Sequence, residues 1–184
     1  MRRSFWAVIS VAALLAVSAP PDASSRTIGQ CRELRDDQQR LACFDHTVTA
    51  LRFAEILVPE MACRRAPHAV DVITALQAEL YISTTPYAVR GSVNYFEVMP
   101  PMEVMGMPVM AVLGYDETAP SAFRRGTGAS PGNILGFVTT AGLLQVDQWR
   151  KQIGPALAID EYQPLDDKGP IVQGAKEISC RAVR

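Results

Sequence analysis

The chain has 184 residues, of which 48% are hydrophobic and 20% charged, so it can bury a core and is not a disordered tail. Its 18 Lys+Arg against 19 Asp+Glu give a net charge of −1 and no sustained basic run. That tells against a nucleic-acid footprint, and against a polybasic membrane surface.

The first residues read as an export signal. Arg2 and Arg3 make a short positive start, residues 5–17 are almost wholly apolar, and small residues and prolines follow. A bilayer core about 30 Å thick needs roughly 20 apolar residues as helix, so this run is too short to span comfortably. The sequence predicts a signal peptide over residues 1–23, a helical hairpin over 24–65 and an α+β domain over 66–184. No cysteine lies near the end of the apolar run, so no lipoprotein anchor is expected. The expected location is periplasmic or secreted, with no stable membrane insertion after signal cleavage.

Cys31, Cys43, Cys63 and Cys180 all lie beyond the leader. An even count in an exported chain points to two disulfides, and four cysteines allow three connectivities. Local geometry favours one. Ile28, Cys31 and Leu34 recur at helical spacing. So do Leu41, Phe44, Val48 and Leu51, continuing through Glu55 to Val58. Asp36 is placed to cap the second helix, with Gln39 reaching back as in a capping box, and Pro59 is expected to stop it. A turn centred near Asp37 sets Cys31 and Cys43 level across an antiparallel helix pair. By elimination Cys63 pairs with Cys180. The rival chemistry is zinc, with Cys43-x-x-His46 joined by Cys31 and Cys63, but the spacing lacks a paired C-x-x-C and oxidation competes for the thiols.

The run Cys31-Arg-Glu-Leu-Arg-Asp-Asp-Gln-Gln-Arg-Leu-Ala-Cys43-Phe-Asp45 resembles a motif found just after the signal peptide in the VasI/TagO-like accessory proteins of type VI secretion. The resemblance covers this short segment alone. It implies a periplasmic, non-catalytic protein with an envelope or secretion-apparatus protein as partner. It also implies structural roles for the motif residues: Arg40 paired with Asp36, and Leu41 and Phe44 facing the rest of the fold.

Further along, Pro67 opens a helix carrying Val70, Ile73, Leu76 and Leu80, closed by Thr84-Thr85-Pro86. Residues 87–98, 109–113, 134–140, 156–162 and 176–183 read as strands, the last with Ile178, Cys180 and Ala182 on one face. Residues 115–133 read as a long mobile loop. Leu143, Val146, Trp149 and Ile153 mark another amphipathic helix, stopped at Gly154-Pro155. The fold class is α+β: a disulfide-stapled helical hairpin, then a small domain with a mostly antiparallel sheet and one or two packed helices.

Chemistry is sparse. Gly128-Ala-Ser130-Pro131-Gly132 matches the G-x-S-x-G pattern, but Pro131 lacks the backbone N–H that an oxyanion hole needs there. His46 and His68 have no evident nucleophile beside them. Asp36-Asp37, Asp160-Glu161 and Asp166-Asp167 are adjacent pairs that point apart on regular elements, and Arg124-Arg125 reads as a solvated loop. Met99, Met102, Met105, Met107 and Met110 cluster, and thioethers can hold Cu(I), which makes a periplasmic methionine-rich Cu(I)-binding protein the alternative reading. The bland account is that methionines fill an irregular core. The preferred reading is an exported envelope protein with a binding or assembly role, no catalytic residues and no cofactor.

Overall fold

The computed structural model describes residues 27–163 and 174–182. The leader expected over 1–23, the Asp166-Asp167 pair and the end of the last expected strand lie outside them. Four α-helices and six strands follow in the order α1 (Ile28–Arg32), α2 (Asp37–Met61), α3 (Ala69–Ala78), β1 (Ala88–Arg90), β2 (Val93–Val104), β3 (Met107–Tyr115), β4 (Ile134–Thr139), α4 (Leu143–Ile153), β5 (Ala158–Glu161) and β6 (Lys176–Arg181). All strand pairs are antiparallel, in the order β1-β2-β3-β4-β6-β5. The fold is α+β, a half-barrel sheet with helices against it.

The pleat decides what each face carries. One face bears Phe96, Val112, Phe137 and Ile178 in register, together with Asn94, Gly114, Leu135 and Cys180. The helices lie on this side. A Cβ at Gly114 would come 2.6 Å from Ile73 Cδ1 and 3.3 Å from Ala69 Cβ, so the missing side chain is what lets α3 seat on β3. Trp149 of α4 meets Phe137 edge-on, with ring centroids 5.5 Å apart. Phe53, Leu57 and Met61 of α2 join the same core as the sheet.

The other face is the inside of the half-barrel and carries Tyr95, Leu113, Gly136, Glu177 and Ser179. The sheet curls far enough that its two edges approach. Tyr87, just before β1, and Tyr162, just after β5, bring their hydroxyls to 3.2 Å, and Arg90 Nη2 donates to the Gln163 carbonyl at 2.7 Å. Backbone closeness is part of this curl: a Cβ on Gly136 would sit 2.3 Å from the Ile178 carbonyl oxygen.

Three local features differ from expectation. Pro59 does not stop the second helix, which runs on to Met61. Its φ suits the helix, and in the last turn the lost N–H costs a single bond. The methionine-rich segment is a regular hairpin: β2 and β3 turn through Met105 (φ 50°) and Gly106 (φ 77°), the left-handed pair that tight hairpins use. Pro100 and Pro101 fall where the β2–β3 register breaks, between Glu97 and Met102, a place where missing donors do no harm. The loop over 115–133 is pinned at several points. Asn94, buried, donates to the Arg124 carbonyl and accepts from the Arg124 N–H, both at 2.9 Å, and Glu117 N donates to Asn133 Oδ1.

Two disulfides hold the chain. Cys31–Cys43 joins α1 to α2 with Cα atoms 5.6 Å apart, and Cys63–Cys180 joins the segment after α2 to β6 at 5.4 Å. This is the pairing that the spacing favours, and it leaves no thiolate for the zinc alternative. Among the described residues no helix is long and apolar enough to cross a membrane.

Candidate functional site

α2 is 25 residues, about 37 Å, and is apolar on two sides. Its buried positions are Cys43, Phe53, Leu57 and Met61. Leu41, expected with Phe44 to face the fold, is 62% exposed; Phe44 is half-buried, and Val48 (42%) and Leu51 (49%) of the same stripe are exposed. Three-and-four spacing identifies residues that share a face, but two such sets coexist here, and spacing alone does not say which one meets the sheet. The C-terminal half of α2 covers the sheet, whereas the exposed Leu41, Val48 and Leu51 all precede Phe53.

α1 holds one flank of that first half. Thr27 caps α1 reciprocally: its N–H donates to Gln30 Oε1 at 2.7 Å and its hydroxyl accepts from Gln30 N at 3.4 Å. Asp36 accepts from Gln39 N at 2.8 Å, the expected cap of α2. Arg40 donates to the Leu34 carbonyl at 3.2 Å and pairs with Asp37, not with Asp36, whose carboxylate the cap already uses. The Thr47 hydroxyl donates to the Cys43 carbonyl at 2.8 Å and lies 3.6 Å from Cys31 Sγ.

Beside the exposed stripe runs an apolar groove of about 500 Å³, lined chiefly by Ile28, His46, Ala50, Leu51, Ala54 and Met105. His46 Nε2 is buried there without a hydrogen-bond partner among the described residues. Met105 closes one end, its sulfur accepting from Trp149 Nε1 at 3.2 Å. Leu143 (61% exposed) and Leu144 (83%) open α4, where Gln145 donates to the Gly106 carbonyl of the hairpin turn at 3.0 Å. Leu51 joins the stripe to the groove, and α4 meets the groove's end at the Met105-Gly106 turn.

The methionines are spread along the β2–β3 hairpin. Met102 and Met107 are buried on the same side of the β2–β3 ladder, Met110 is half-buried at the register shift between Val109 and Ala111, and Met99 and Met105 are exposed. A soft-metal site needs several sulfurs aimed at one point.

Inside the half-barrel is a second, polar cleft of about 420 Å³ lined by Arg90, Tyr95, Asp160, Glu177 and Arg181, among others. Its carboxylates are engaged by neighbouring groups. Tyr95 Oη donates to Glu177 Oε2 at 2.8 Å, and Arg181 Nη2 pairs with Asp160 at 2.6 Å while standing 3.8 Å from Glu177. Burial, then the Glu177 charge, push the Tyr95 phenol well above its ordinary value; burial and the Tyr162 hydroxyl do the same to Tyr87. Sequence reasoning missed Glu177 and Tyr95. The signal was in β6, where placing Ile178 and Cys180 on one face puts Glu177 on the other, inside the half-barrel.

The remaining candidates are scattered. Ser130 donates to Glu117 Oε1 at 2.6 Å. His68 precedes α3, whereas His46 is on α2. Glu161 stands 3.8 Å from Lys176. Arg124 and Arg125 are exposed. Among the described residues no group of three or more His, Cys, Asp or Glu side chains is placed to hold a metal ion. Comparison with family models, with characterised proteins and with solved structures gives no match to this chain.

Proposed function

We propose that this is an exported bacterial envelope protein, periplasmic, with a non-catalytic role in binding or assembly beside a secretion apparatus. The observation that carries the binding role is the apolar side of the first half of α2: Leu41, Val48 and Leu51 face solvent next to an apolar groove, on a helix whose other side is already satisfied by the core. Both disulfides and the leader-like start support an oxidising location, and the Cys31–Cys43 motif supports a place among the VasI/TagO-like proteins. On this reading α1 and the start of α2 act as a stapled helical hairpin that presents the ridge in a fixed orientation.

The test is made in host cells, with a photo-crosslinking amino acid at position 48 or, as control, at the still more solvent-facing Leu80 (72% exposed against 42% for Val48). A discrete adduct from position 48 and none from position 80 is expected, with intact mass showing residues 1–23 removed. Equal, diffuse labelling from both positions, or a retained leader, overturns the reading.

A further inference from the structure

We infer that the polar cleft inside the half-barrel binds a small zwitterion, a free α-amino acid with an apolar side chain. The inference stands apart from the α2 ridge, because the cleft lies on the other face of the sheet.

Most of the charges that line the cleft cancel in pairs. Arg181 meets Asp160 at 2.6 Å, and Glu161 faces Lys176 at 3.8 Å. Two charged side chains of the lining are left, Arg90 and Glu177, and they are not paired with each other. Among the described residues Arg90 has no acidic partner; its Nη2 donates to a neutral group, the Gln163 carbonyl. Glu177 is buried, yet the bond from Tyr95 occupies Oε2 alone. Its Oε1 stands 3.8 Å from Arg181, beyond hydrogen-bond range. A carboxylate can accept about four hydrogen bonds, so this buried acid keeps acceptor capacity toward the cleft.

Both residues border the Tyr95 phenol. Arg90 is in register with Val93, so it shares the inner face with Val93 and, two residues on, with Tyr95, which touches Glu177. Burial and Glu177 raise that phenol, and the Arg90 charge acts against them. Arg90 is also held in place: Gly91 (φ 51°) and Ser92 (φ 72°) form the left-handed turn behind it, and Ser92 Oγ accepts from Gly126 N at 3.2 Å. The complement is one carboxylate and one ammonium on a molecule that fits about 420 Å³. An α-amino acid carries both on a single carbon. The Arg90 guanidinium can donate to its carboxylate, and its ammonium can donate to Glu177 Oε1. Val93, Pro131 and Ile134 supply the apolar part of the wall, which suits an apolar side chain.

The experiment is titration calorimetry on the full chain, purified with both disulfides intact, with L-alanine, L-valine, L-leucine and L-methionine as probes. Saturable binding of at least one is expected. The N-acetyl form of the best binder lacks the ammonium, and the corresponding primary amine lacks the carboxylate; each should bind about tenfold more weakly or worse. Arg90→Gln, with its melting temperature as the check on folding, should weaken the parent amino acid about tenfold. No saturable binding of any of the four amino acids overturns the inference. So does an N-acetyl form or an amine that binds as tightly as its parent, or a folded Arg90→Gln protein that binds as the wild type does. The two modified probes decide the matter on the unaltered chain, whatever the variant does to folding.

Discussion

The hydroxyl of Tyr95 reaches over two intervening strands to donate to the Glu177 carboxylate at 2.8 Å, tying β2 to β6 across the inside of the half-barrel. The acid is 6% exposed and the tyrosine 2%, so each is the other's main compensation for leaving water. Because burial and Glu177 raise the Tyr95 phenol above its ordinary value of 10.0, the neutral phenol is favoured by folding. A group raised in the folded state contributes stability fully below its unfolded value and loses it as pH rises through the folded one. Stability should therefore fall above about pH 10. Spectroscopic titration is expected to show Tyr87 and Tyr95 ionising later in the native protein than in denaturant. Tyr95→Phe should cost about 1–3 kcal/mol at neutral pH, measured by denaturant unfolding, because it strands a buried carboxylate.

Asp116 makes the opposite case. It is fully buried at the end of β3 and accepts from Thr118 N at 2.9 Å, from the Thr118 hydroxyl at 2.6 Å and from Val70 N at 3.4 Å. The last contact caps α3 from outside, since His68 at its N-cap position supplies no side-chain bond. Burial works to raise this carboxyl, but the bonds from Thr118 and Val70 outweigh it and hold it below the ordinary range. Its contribution is thus present above the unfolded value and lost as pH falls through the lower folded one. Asp116→Asn should lower neutral-pH stability by about 1–2 kcal/mol and flatten the acid limb of the stability profile, as read by urea unfolding from pH 7 to pH 3.

The two disulfides should separate by what they hold. Cys31–Cys43 closes 12 residues and Cys63–Cys180 closes 117. On chain entropy the first is worth about 3 kcal/mol and the second about 5. Cys63→Ser with Cys180→Ser should lower the global melting temperature, since that bond sits over the shared core. Cys31→Ser with Cys43→Ser should chiefly raise amide exchange over 28–45, where few other contacts hold the short α1. Equal effects of the two pairs on global melting would refute this division.

Much of the chain was legible from its residues. The α+β class, an antiparallel sheet, the helix over 143–153 and the cysteine pairing follow from periodicity, turn residues and chain reach, all of which are local. The hairpin at Met105-Gly106 was not, because the left-handed conformation of Met105 is imposed by the β2–β3 ladder and is not typical of methionine. The ridge on α2 was legible as a stripe, but the expectation that Leu41 faces the fold was not met. Its spacing says that Leu41, Phe44, Val48 and Leu51 lie together, and Phe53, Leu57 and Met61 form a second set on the same helix.

What the sequence alone determined, then, is which side chains travel together: apolar residues on a face, cysteines within reach, a cap before a helix. What only the tertiary structure decided is which of those sets found a partner. The sheet is broad enough to cover the second half of α2 and not the first, and its curl makes Tyr95 and Glu177, separated by two strands in the sheet and 82 residues in the chain, immediate neighbours. Local pattern is set by backbone geometry within a few residues. Burial is set by where distant segments come to rest.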